Sequence, residues 1–111
     1  MEIPSEAVLL RIYLTEAAKW EHKPLYEAIV MRAREQGLAG ATVLRGPMGY
    51  GRSTHLHTAK ILDLSMNLPV VIEIVESEEK ITGFLAVLKP MLSGGLVTTH
   101  KVTVVHSNPG A

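Results

Sequence analysis

Gly37-Leu38-Ala39-Gly40-Ala41-Thr42-Val43-Leu44-Arg45-Gly46-Pro47-Met48-Gly49-Tyr50-Gly51-Arg52-Ser53, followed by a polar run with two histidines and then Asn67-Leu68-Pro69, is the stretch on which the fold turns. Gly37 has the place of a helix C′ residue, where positive φ is needed. Ala41 to Leu44 is short, apolar and β-prone, so a helix ends and a strand, about Ala39 to Arg45, begins at once. Gly46, Gly49 and Gly51 let the backbone bend sharply or approach a ligand. Arg45 and Arg52 flank them, ready for an anion. Roughly twenty residues separate this strand from the next, and loops that long inside compact domains are usually functional or mobile.

Working outward, Ala7 to Leu14 reads as a first strand with a nearly continuous apolar run. Thr15 to His22 is a polar connection that carries Trp20. Pro24 suits a first helical position. Leu25, Ala28, Ile29 and Ala33 recur at helical spacing, giving a helix that stops near Gln36. Beyond the loop, Val70 to Val75 is the clearest strand. Ser77 is an N-cap with Glu78 and Glu79 in the first turn. Ile81, Phe84, Leu85 and Leu88 then form an apolar stripe that Pro90 ends. Ser93-Gly94-Gly95 is a second tight turn, and Val97 to Val105 the last strand. His57 to Leu64 fits either a short helix or an irregular strand extension. The tail, 106–111, is expected to fray.

The order is β-α-β-β-α-β: an α+β, ferredoxin-like arrangement with a four-stranded antiparallel sheet and two helices on one face. The expectation is one domain over residues 1–111, with a long loop at about 46–68. Such a sheet has a second face. Its strands carry apolar residues there too, so the face calls for a cover, most simply other copies of the chain.

Composition narrows function. Of 111 residues, 47% are hydrophobic, and Lys plus Arg equals Asp plus Glu. A neutral chain has no basic footprint for nucleic acid. No apolar run is long enough to span a bilayer, and no secretory signal is visible. With no cysteine, disulfides, thiolate metal sites and cysteine nucleophiles are excluded, and a cytoplasmic location is expected.

Three chemistries are legible in the motifs. Gly46 to Ser53 reads G-x-x-x-x-G-R-S, one substitution from the phosphate-loop pattern. The chain is too short for the parallel sheet that pattern needs, and it offers no magnesium-binding Asp after a later strand. What survives is an anion held by backbone N–H groups and arginine. The alternative is that the glycines only shape a flexible turn. His55 and His57 lie two apart and would share a side of an extended segment, a weak metal pair that lacks further ligands. Glu16, Glu21, Glu73 and Glu76 are read as surface charges, and no nucleophile elbow surrounds any serine, so catalytic residues are expected to be none.

Several separated motifs resemble one family: Leu25 to Ile29, Gly37 to Val43, Gly49-Tyr50-Gly51, Leu68 to Glu73 and Gly95 to Thr98. Over about Val8 to Val105 the chain is similar to the bacterial and archaeal family called domain of unknown function 190, in the PII-like superfamily with nitrogen-regulatory PII proteins and CutA. The resemblance implies a ferredoxin-like homotrimer. PII proteins bind adenine nucleotides between subunits, with the base of the long loop as one wall and the glycine turn after the second helix as another. Gly49-Tyr50-Gly51-Arg52 resembles the loop base and Ser93-Gly94-Gly95 takes the place of the turn. The implied ligand residues are therefore Arg45, Gly46, Gly49, Gly51, Arg52, Ser53, Ser93, Gly94 and Gly95. Ser53 stands where PII has a glutamine, and Ser93 to Val97 lacks the PII aspartate and lysine. These departures argue against a triphosphate and 2-oxoglutarate and leave open an adenine nucleotide with fewer phosphates, or another small anion; AMP, ADP and ATP are the nucleotides to compare. The resemblance thus implies a non-enzymatic signalling trimer whose loop engages a partner. Family context makes a membrane transporter one candidate partner. A CutA-like metal-binding trimer using His55 and His57, and a small enzyme on the same scaffold, are the alternatives.

Overall fold

Helix α1 (Leu25–Glu35) turns Leu25, Ala28, Ile29 and Ala33 into the core, the four positions its 3.6-residue period selects. This is a computed structural model, and it describes residues 3–51, the backbone of 57–58, and residues 67–108. Gly37 adopts φ +77° just past the helix. Its N–H bonds to Arg34 O at 3.1 Å, and Leu38 N–H bonds to Ala33 O at 3.1 Å, the paired bonds of a Schellman motif. Pro24 is the residue before the helix rather than its first residue. Helix α2 (Glu78–Leu88) buries Ile81, Phe84 and Leu88, with Leu85 partly buried beside them. Ser77 Oγ accepts from Lys80 N–H at 3.3 Å and caps it. Pro90 lies in a 3₁₀ turn, Lys89–Met91, that tightens the helix end.

The strands are β1 (Glu6–Thr15), β2 (Thr42–Arg45), β3 (Pro69–Glu76) and β4 (Leu96–Thr103). They form one antiparallel sheet in the order β2-β3-β1-β4. This is the expected βαββαβ arrangement. β2 is shorter than the strand expected from Ala39, because the ladder with β3 begins only at the Thr42–Glu73 pair. β4 likewise stops at Thr103, short of Val105.

Alternation divides the sheet into two faces. Val8, Leu10, Ile12 and Leu14 of β1 and Val70, Ile72 and Ile74 of β3 are buried against the helices. The register sets Leu44, Val71, Tyr13 and Leu96 in one row across the other face. Thr42, Glu73, Arg11 and Thr98 make the next row, and Val75, Leu9 and His100 the third. Within the second row Arg11 Nε donates to Glu73 Oε2 at 2.8 Å. That hydrogen bond raises the Arg11 pKa above its ordinary value.

Two readings are corrected. Glu76 is buried, with 1% of its surface exposed. Its Oε1 accepts from Ala39 N–H at 2.9 Å and its Oε2 from Ser77 N–H at 2.8 Å, so it ties the α1–β2 loop to the start of α2. The polar connection between β1 and α1 is also more ordered than a plain loop. Lys19–Trp20 pairs with Lys23–Pro24 across a tight turn at Glu21 and His22, whose φ values are +48° and +68°. Trp20 packs on the core from there, and the Arg32 guanidinium lies 5.9 Å from its ring centroid.

Candidate ligand site

The glycine loop starts where β2 ends. Gly46 N–H donates to Pro69 O at 2.8 Å, which continues the β2–β3 ladder by one bond. An added Cβ on Gly46 would sit 3.1 Å from Pro69 Cγ, and one on Gly49 would sit 3.0 Å from it. The loop backbone thus lies against the ring that opens β3. These two glycines have a packing reason besides any ligand. Met48–Gly49 then pairs with His57–Thr58, so the long loop begins as a two-residue ribbon. Met48 and Tyr50 are exposed on it, Tyr50 at 79%. Arg52, Ser53 and His55 lie outside the described residues, as do the His57 side chain and most of 57–64.

Ser93 and Gly94 are exposed in the turn before β4. Gly95 has φ +98°, and a Cβ there would lie 2.7 Å from Tyr13 O and 2.9 Å from Leu14 Cδ2. Only glycine fits the turn.

Loop base and turn occupy the same end of the sheet. Arg45 pairs with Val70, Thr15 with Pro69, and Tyr13 with Leu96. They occupy opposite edges, however. β3 and β1 stand between β2 and β4, three strand spacings or about 14 Å. Within one chain Arg45, Gly46, Gly49 and Gly51 are brought together, and Ser93, Gly94 and Gly95 are set apart from them.

Sequence reading missed the ion-pair partner of Arg45. Glu16, in the first connection, forms an ion pair with Arg45 Nε through Oε2. Its own N–H donates to Leu68 O at 2.8 Å, and the neighbouring Ala17 N–H to Asn67 Oδ1 at 2.8 Å. Residues 16 and 17 therefore touch both ends of the long loop. The signal for this is weak in sequence: a carboxylate one residue past a strand, about thirty residues from its arginine. Among the described residues no group of three or more His, Asp or Glu side chains is disposed to hold a metal ion, and no described helix is long and apolar enough to cross a membrane.

Comparison with known proteins agrees with this architecture. A UPF0166 protein of Aquifex aeolicus is 43% identical over 98 residues, 88% of this chain and 92% of that one. A UPF0166 protein of Methanocaldococcus jannaschii is 39% identical over 93 residues, 83% of this chain and 85% of that one. Among solved structures, the PII-like protein CPII of Thiomonas intermedia K12, bound to ADP and bicarbonate, superposes with a TM-score of 0.69 at 20% identity, covering 91% of this chain and 90% of that one. A PII-like signaling protein of Thermus thermophilus gives 0.67 at 17% identity, with 94% of each chain covered. The divalent cation tolerance protein CutA1 of the same organism gives 0.57 at 11% identity, covering 95% of this chain and 89% of that one. These likenesses establish a PII-like fold. The family model of DUF190 (uncharacterized ACR, COG1993) matches residues 7–104, and the chain belongs to that family.

Proposed function

We propose that the protein is a PII-like regulatory trimer, not an enzyme, that binds an adenine nucleotide between subunits. The observation that carries this reading is the placement of the loop base and the Ser93–Gly95 turn at one end of the sheet on opposite edges. Among the described residues the two stand three strand spacings apart. When copies cover one another's open sheet faces, the β2 edge of one can meet the β4 edge of the next, and the two half-sites become one. CPII, which has this fold, has been solved with ADP and AMP, and that supports a nucleotide as the ligand class.

In this reading Gly94 and Gly95 offer backbone N–H groups, while Arg52 and Arg45 supply the cations for a phosphate. Ligand binding switches the long loop, and the loop engages or releases a protein partner. A membrane transporter is one such candidate. Charge-assisted bonds contribute about 1.5–3 kcal/mol each. Arg52→Ala is expected to weaken nucleotide binding by about tenfold to a hundredfold. Calorimetric titration of wild type and variant with AMP, ADP and ATP tests this. Native mass spectrometry of the same samples reads the oligomer. Equal affinities remove Arg52 from the site, and no binding of any of the three by the wild type discards the nucleotide reading.

A further inference from the structure

Glu16 is ion-paired with Arg45, the described arginine of the loop base. Its side chain is 20% exposed, against 55% for that of Arg45. Oε2 is closed off from solvent and faces Arg45 Nε as an ion pair. The Glu16 backbone is fixed by the 2.8 Å bond to Leu68 O, and Ala17 by the bond to Asn67. A shielded carboxylate beside the loop base adds negative potential there.

We propose that Glu16 sets the limit on how much negative charge the loop-base site accepts, and so discriminates between nucleotides by phosphate number. This rests on the nucleotide reading above. Arg45 arrives already compensated by Glu16, so an incoming phosphate meets less net positive charge than the arginine alone would offer. Each additional phosphate adds negative charge, and each is repelled by the same carboxylate. The penalty therefore grows along the series AMP, ADP, ATP. Half-shielded pairs of this kind are screened less by salt than exposed ones.

The test is calorimetric titration of the full chain with AMP and with ATP, without magnesium, in wild type, Glu16→Gln and Glu16→Asp. Glu16→Gln is expected to raise ATP affinity relative to AMP by about tenfold, the size of a charge–charge interaction across several ångströms at intermediate dielectric. Glu16→Asp keeps the charge and is expected to keep the wild-type ratio. A carboxylate with only a packing role would change both affinities together, or the melting temperature alone, and would leave the ratio unchanged. Binding that persists with an unchanged ratio overturns the role of Glu16 and leaves the nucleotide reading standing. No binding of either nucleotide by any of the three proteins overturns both.

Discussion

At Gly95 two demands coincide: φ is +98°, and an added Cβ would lie 2.7 Å from the Tyr13 carbonyl oxygen. Its neighbour Gly94 has open space around it. Gly95→Ala is therefore expected to cost about 2 kcal/mol or more, from strained backbone and a contact with atoms that cannot retreat. Gly94→Ala is expected to change urea-unfolding stability by less than about 0.5 kcal/mol, as for an ordinary surface substitution. Similar losses at both positions would refute the geometric distinction. The sequence marks both residues as turn glycines and cannot tell them apart, because the difference is a carbonyl more than eighty residues away. Gly46 and Gly49 repeat the lesson, since Pro69, which they touch, lies across the long loop. Glu76 is the harder case. Beside Ser77 and Glu78 it reads as one more surface carboxylate, yet it accepts two backbone N–H groups in a buried place. Glu76→Ala leaves both donors without their partner, and each unsatisfied buried group costs about 1–3 kcal/mol. Chemical denaturation is expected to show a loss near the middle of the summed range; a loss below about 1 kcal/mol would mean that water replaces the carboxylate.

Among the elements, those governed by period are the legible ones. The apolar spacing of α1 and α2 selects the residues that are buried, because a helix face is a local property. The segment from Thr15 to Pro24 is illegible for the opposite reason. Two-residue turns with positive φ favour Asn-Gly, and Glu21-His22 carries no such mark. It is held by what surrounds it: Leu25 N–H bonds to Ala18 O at 2.8 Å, and Trp20 packs on the core. Left-handed backbone at a residue other than glycine costs about 1–3 kcal/mol. His22→Gly removes one such cost and adds unfolded-chain entropy of about 0.4–1 kcal/mol. The net expectation is a rise in stability of between about 0 and 2.5 kcal/mol, read from the urea midpoint at constant slope. A lower midpoint would show that the imidazole contributes a contact worth more than the strain.

For the whole molecule the open sheet face is the governing feature. It presents Leu44, Val71, Tyr13 and Leu96 in a row, with Leu9 and Val75 in the third row along their strands. Leu44 and Leu96 are 49% and 58% exposed. Between the apolar rows runs the Arg11–Glu73 pair, with side chains 37% and 28% exposed. A face of this kind gains about 25 cal/mol for each Å² of apolar area covered. Covering it also desolvates the ion pair, which is a cost unless the pair stays whole. The trimer proposed above thus has opposing terms that can be separated by mutation. Val71→Asp sets an unpaired carboxylate in the apolar row and touches nothing on the helix side. It is expected to release monomers of 12.1 kDa with the circular dichroism of the folded chain. Replacing Arg11 and Glu73 together by leucine removes the desolvation cost and is expected to leave the trimer intact or tighter, whereas Arg11→Leu alone leaves Glu73 without its partner and is expected to loosen it. Sedimentation equilibrium at micromolar concentration measures all three. A wild type that sediments as a monomer would overturn the trimer and the shared site, and a Val71→Asp protein that remains trimeric would show that the copies meet through a surface other than this face.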